Sequence, residues 1–153
     1  MSDMRIAVLG AAGRMGQALT QALLATPGCE IAGGLEAAGS PAIGRDLGEI
    51  ACLDPIGVQV TEDPLALFAH VEGVLDFTLP HATTELVALS AQARIVHVIG
   101  TTGFTEDQLA KIDAAARHAT IVKAGNMSMG VNLMAALTER VATILGPEFD
   151  IEI

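Results

Sequence analysis

Six short aliphatic runs alternate with stretches of helical periodicity along this chain, and that alternation restricts the fold more than any other feature. The runs are Arg5 to Leu9, Glu30 to Leu35, Val58 to Val60, Val74 to Phe77, Ile95 to Ile99 and Thr120 to Lys123. Strands that are apolar at successive positions, not at alternate ones, need cover on both faces, which is the mark of a parallel sheet flanked by helices. Between them, Arg14 to Ala25 places Met15, Ala18, Leu19, Ala22 and Leu23 on one stripe, expected to be the buried face of a helix that Pro27 and Gly28 end. Thr105, followed by Glu106, Asp107 and Gln108, predicts a capped helix running to about His118. Pro64 and Pro80 fall at first turns, where a missing N–H costs no helical bond. Only Glu36 to Gly57 breaks the rhythm, a long surface loop with one short helix expected around Asp46 to Cys52.

At 153 residues the chain is long enough for one ordinary domain with its own core. Hydrophobic residues are 51% against 17% charged, which excludes disorder. Eight Lys and Arg against 18 Asp and Glu leave a net charge of −10, a field that repels phosphate backbones and anionic lipid, so neither nucleic acid nor a membrane is an expected partner. The mean hydropathy of +0.50 is high, yet it comes from scattered alanines and short runs without an 18-residue apolar stretch. Arg5 ahead of an apolar run looks like a secretory leader, but the run stops at Gly10 and no convincing cleavage pattern follows. Cys29 and Cys52 suit neither a zinc site nor a disulfide scaffold, and the expected location is cytoplasmic.

The first run leads directly into Gly10-Ala11-Ala12-Gly13-Arg14-Met15-Gly16 and then into a helix. In that context glycines permit a sharp turn and let backbone N–H groups approach a pyrophosphate at the helix N-terminus. The spacing is GxxGxxG, with Ala12 where a second glycine of the strict pattern is expected. Twenty positions past Gly16 stands Glu36, where a carboxylate can accept the hydroxyls of an adenosine ribose. Ala37, Ala38, Gly39 and Ser40 follow it and offer no cation for a 2′-phosphate, so NADH is favoured; NADPH would need Arg14 or Arg45 to reach across. The fold class is therefore α/β, a Rossmann-like doubly wound parallel sheet. Gly100-Thr101-Thr102-Gly103 ends the fifth run, where two hydroxyls can bind a carboxamide or carboxylate, and Asp76-Phe77-Thr78 and Ala124-Gly125-Asn126-Met127-Ser128 end runs on the same rim. The four histidines lack metal spacing, and none has a nucleophile and carboxylate partner visible in the sequence; His97 alternates within a strand and reads as packed or surface, not catalytic. The methionines are core filler, apart from Met15 on the glycine turn. Met129 to Leu145 predicts a long helix ended by Gly146 and Pro147, and Asp150 to Ile153 predicts the start of a strand that runs on past the sequence.

Four segments in order, Ile6 to Gly16, Asp76 to Thr78, Val98 to Phe104 and Asn126 to Asn132, resemble the dihydrodipicolinate reductase family, and the resemblance covers the whole chain. It implies NAD(P)H-dependent reduction of a cyclic imine dicarboxylate on the diaminopimelate and lysine route. It also implies that Gly10, Ala11, Ala12, Gly13, Arg14 and Met15 hold the pyrophosphate region and Glu36 the adenosine ribose. Gly100, Thr101 and Thr102 would lie on the nicotinamide side, Thr102 also facing substrate, and Ala124, Gly125, Asn126 and Met127 would form a neighbouring wall. Two departures stand out: Ala37 replaces the arginine that in many members helps accept NADPH, and Met127 replaces an aromatic residue. The family's His-His pair, lysine and Asp-Ala-Pro-Ser-Gly-Thr run, which grip the substrate and supply its proton, are expected beyond Ile153, so no catalytic residue is assigned in this chain. The resemblance divides it into a cofactor domain over 1–125 and a connecting helix with the start of a substrate and oligomerisation domain over 126–153, the full-length protein being a homo-oligomer. Other readings are a stand-alone NAD(H) sensor or a different NAD-dependent dehydrogenase.

Overall fold

A computed structural model describes residues 3–150 and residue 152. Its strands are β1 (Met4–Leu9), β2 (Cys29–Leu35), β3 (Val60–Thr61), β4 (Gly73–Asp76), β5 (Val96–Ile99) and β6 (Ile121–Lys123). Between them run α1 (Arg14–Leu24), α2 (Leu47–Ile50), α3 (Pro64–Phe68), α4 (Pro80–Ala93) and α5 (Glu106–Ala115), and α6 (Met129–Leu145) follows. The expected beat is thus present, with most run ends shifted by one or two residues. Ile151 and Ile153 of the strand expected at the end lie outside the described residues.

All five strand pairings are parallel, in the order β3-β2-β1-β4-β5-β6. Central β1 shows why its sequence has no polar alternation. Ile6 and Val8 join a core with Leu23, Ile31, Leu47 and Val60, while Ala7 and Leu9 join another with Leu67, Phe68, Val74 and Leu86. Successive side chains leave a strand on opposite faces, so cover on both faces demands apolar residues throughout. A third cluster, Val87, Ile99, Ile112 and Ala115, joins α4 and α5 to β5.

The buried face of α1 corrects the sequence expectation. Gly16, Thr20 and Leu23 are buried, whereas Met15 is 48% exposed and Ala18 and Ala22 are also on the outside. Gly16 decides this. A β-carbon there would collide with the carbonyl oxygen of Gly10 and lie 2.7 Å from that of Ala11, so the bare glycine lets the helix axis press against the turn before it. The helix rotates accordingly, and Thr20 enters the interior because its hydroxyl donates to the Gly16 carbonyl at 2.9 Å.

The long loop is organised by Asp46, which caps α2. Its carboxylate accepts from the N–H groups of Gly48 (2.8 Å), Ile56 (3.0 Å) and Gly57 (2.7 Å), closing the loop on itself. The Ile56 N–H heads the causes that hold this carboxyl below its ordinary value.

Two compact units emerge, Met1–Lys123 and Ala124–Ile153, where the sequence reading placed the division after residue 125. In the second, Ser128 caps α6 by accepting from the Val131 N–H, and no residue of α6 is buried. Among the described residues no helix is long and apolar enough to cross a membrane.

Candidate functional site: a cleft at the strand ends

In the first unit the sheet order reverses at β1, which pairs with β2 on one side and β4 on the other. Ligands of open parallel sheets bind beyond the carboxyl ends at such a reversal. A cleft of about 580 Å³ lies there, lined by Gly10, Ala12 and Gly13 after β1, Glu36 after β2, and Thr78 and His81 after β4, among others.

The glycine turn is built by its backbone. Gly10 and Ala11 both donate to the Leu35 carbonyl, and the Gly13 N–H returns to the Gly10 carbonyl at 3.0 Å. Gly10 sits at φ +71°, where side chains are strained, and a β-carbon there would come within 3.1 Å of Thr78 Cγ2. Gly13 caps α1 without a side-chain acceptor, so the first N–H groups of that helix stay free for an external anion. Glu36, at the end of β2, turns back to the same place and accepts the Ala12 N–H at 2.7 Å. The turn and the carboxylate that the sequence singled out separately are therefore joined by a hydrogen bond.

With this geometry in view, similarity to known proteins gives the chain its family. Residues 4–127 match the family described as "Dihydrodipicolinate reductase, N-terminus". The chain belongs to this family. It is 59% identical over 153 residues to a 4-hydroxy-tetrahydrodipicolinate reductase of Methylocella silvestris, covering 100% of this chain and 56% of that one. It superposes with a TM-score of 0.73 and 26% identity on dipicolinate-bound dihydrodipicolinate reductase from Paenisporosarcina sp. TG-14, over 92% of this chain and 54% of that chain. At 16% identity and a TM-score of 0.64, an oxidoreductase of Agrobacterium radiobacter, solved with NAD+, L-tartaric acid and magnesium, shares the fold over 92% of this chain and 41% of its own. The chain spans about half the length of the curated relatives it matches.

Against the reductase family pattern, the structure brings Gly10, Ala12, Gly13 and Glu36 into one cleft. Ala11 is buried beneath the turn, and Arg14 and Met15 open α1 with exposed side chains. Neither Arg14 nor Arg45 is among the residues lining the cleft. Thr101 corrects the reading of two hydroxyls free to bind a carboxamide. Its side chain turns inward, 6% exposed, with its oxygen 3.0 Å from Thr83 Oγ1 and 3.4 Å from Asp76 Oδ1. Thr102 remains exposed, and Gly100 allows the Phe77 ring to pack where its β-carbon would stand. Ala124, Gly125, Asn126 and Met127 belong to the second unit, where Asn126 Oδ1 accepts from the Ser128 N–H at 2.8 Å and Met127 is 41% exposed.

A second correction concerns His97, which does have a carboxylate partner. Its Nε2 lies 3.0 Å from Asp76 Oδ2 and its Nδ1 lies 2.8 Å from Ser90 Oγ, and all three residues are fully buried. The pairing of β4 with β5 sets Val74 beside His97, so Asp76, two residues on, meets the ring diagonally on the same face. Ser90, on α4, closes the group from above. Asp76 also accepts the Thr78 N–H at 2.9 Å and the Thr78 hydroxyl at 2.6 Å, which ties the buried group to the cleft wall. The sequence held the residues but not the register that joins them.

Burial pushes the Asp76 carboxyl up, but the hydrogen bonds from His97 and Thr78 outweigh it and hold it below its ordinary value. A depressed folded value means that the carboxylate stabilises the fold fully above the unfolded value of about 3.9 and ceases to do so as pH falls through the folded one. Stability should therefore decline on acidification below about pH 4, more gently in Asp76→Asn than in wild type. Chemical denaturation across that range is the check, and parallel pH curves would remove Asp76 from the acid limb.

Proposed function

We propose that this chain is the dinucleotide-holding part of an NAD(P)H-dependent 4-hydroxy-tetrahydrodipicolinate reductase of diaminopimelate and lysine biosynthesis. The observation that supports it best is the convergence of the uncapped α1 terminus and the Glu36 carboxylate in one cleft. Both parts fit a nicotinamide dinucleotide. The uncapped start of α1 leaves N–H donors for a diphosphate, and Glu36 is an acceptor matched to ribose hydroxyls. Bound there, the reduced nicotinamide would supply the hydride for a conjugated cyclic imine formed by loss of water.

This chain's own contribution is binding and orientation. Free N–H groups of α1 hold the diphosphate, Glu36 fixes the sugar, and Thr78, anchored by Asp76, limits the far wall. Positioning of this kind supplies roughly 7 to 11 kcal/mol in favourable cases. The roles of Gly100 to Thr102 and of Ala124 to Met127, and substrate contact by Thr102, rest on the family pattern. So do the homo-oligomeric state and a proton donor outside these residues, and the isolated chain should bind NADH yet turn over negligibly. NADH is the preferred form, because the lining has carboxylates and no Lys or Arg.

Glu36→Ala should weaken NADH binding by about 1.5 to 3 kcal/mol, the loss typical of hydrogen bonds to a charged group. Calorimetric titration of the two proteins decides it, and equal affinities would remove Glu36 from the ribose site.

A further inference from the structure

We propose that Glu62 is a specificity-determining residue of this cleft, excluding an adenosine 2′-phosphate by occupying a backbone donor that such a group would need. The proposal rests on the dinucleotide reading above and names a residue that reading does not use.

The register of β2 against β3 pairs Gly34 with Val60 and Leu35 with Thr61, so Glu36 and Glu62 are the next residues on neighbouring strands. The Glu36 N–H donates to the Thr61 carbonyl at 3.0 Å, which carries the alignment one step beyond the ladder. Both glutamates line the cleft, with Ala37 and Ala38. Glu62 is also aimed. The Asp63 N–H donates to Thr61 Oγ1 at 3.0 Å, and Asp63 Oδ1 accepts from Leu65 and Ala66 at the start of α3, so the backbone on either side of Glu62 is fixed. Its Oε2 then accepts the Gly39 N–H at 3.2 Å, across the turn that follows Glu36.

A phosphate monoester at neutral pH carries between about one and a half and two negative charges and is chiefly a hydrogen-bond acceptor. Around the turn after Glu36, three of the backbone donors it could use are already committed: the Gly39 N–H to Glu62, the Ser40 N–H to the Ala37 carbonyl, and the Glu36 N–H to Thr61. It would also face the Glu36 and Glu62 carboxylates in a lining without a Lys or Arg. A ribose hydroxyl has the opposite requirement, since it can donate to a carboxylate. The same two side chains therefore suit the unphosphorylated sugar and oppose the phosphorylated one, and a built-in repulsion gives a difference of affinities.

The test is titration of the chain with NADH and with NADPH, following nucleotide fluorescence. Glu62→Gln removes the charge but keeps an acceptor, and should shift the affinity ratio toward NADPH about two- to five-fold, the range of a screened surface charge. Glu62→Arg removes the acceptor and adds a cation, and should shift it about tenfold or more. Glu30→Gln, an exposed carboxylate in β2 outside the cleft lining, should leave the ratio unchanged. If NADH binds and neither Glu62 variant moves the ratio, or if Glu30→Gln moves it equally, the assignment of Glu62 is wrong while the dinucleotide site stands. If the wild-type chain takes neither nucleotide, the underlying reading falls and this proposal with it.

Discussion

His97→Ala is expected to lower the stability of the folded chain by about 3 kcal/mol, the upper end of the cost of leaving a buried hydrogen-bonding group unsatisfied, because that group is a carboxylate. The size follows from what remains. Asp76 is fully buried and would keep its carboxylate without the ring at 3.0 Å, and Ser90 Oγ would lose the Nδ1 atom at 2.8 Å. Nearby hydroxyls cannot fully compensate, because Thr78 and Thr101 already donate to Asp76 and Thr83 donates to Thr101. Urea unfolding followed by circular dichroism is the suitable measurement, since the chain has no Trp or Tyr to report by fluorescence. A loss below about 1 kcal/mol, the net worth of an ordinary hydrogen bond, would mean that the buried group contributes little.

Gly16→Ala is the second large effect, and its sign is informative. Helix propensity alone favours alanine over glycine by about 0.8 to 1 kcal/mol. The added β-carbon would, however, collide with the Gly10 carbonyl oxygen, a backbone atom of the turn that cannot rotate away. Overpacking of this kind costs about 1 to 3 kcal/mol, so the net change should be destabilising. Because relief requires α1 to move off the turn, NADH binding should fall by about tenfold or more, the consequence of misplacing the helix N–H groups by a fraction of an ångström. Gly130→Ala is the contrast: it lies in α6, its nearest neighbour to a new β-carbon is Ser128 Oγ at 3.8 Å, and propensity should prevail. Stabilisation by both substitutions would show that Gly16 is not held against the turn.

The parallel sheet was legible because burial on both faces leaves a local trace, a run of consecutive apolar residues such as Ile6 to Leu9. Caps were legible for the same reason: Thr105 and Gln108 form the expected capping box within four residues of chain. Gly10 to Gly16 and Glu36 could be read from spacing because strand, turn and helix follow each other without insertion. What escaped depends on contacts between distant segments. The buried face of α1 was misread because Gly16 carries no apolar side chain to mark it, although the close approach it permits sets the rotation of the helix. The Ser90, His97 and Asp76 group needed the β4–β5 register and the seat of α4, neither of which leaves a pattern in sequence. Glu62 was missed likewise, since only the pairing of β2 with β3 brings it beside the turn after Glu36.

The proposed seat of a nicotinamide dinucleotide is between the first glycine turn and Glu36. Its most direct test is a titration of the isotopically labelled chain with NADH, followed through the backbone amide signals. The largest saturable shifts are expected at Gly10 to Gly16, at Glu36 to Gly39 and at Thr78. Signals there that stay fixed at saturating NADH, or shifts confined to other parts of the sheet, would contradict it.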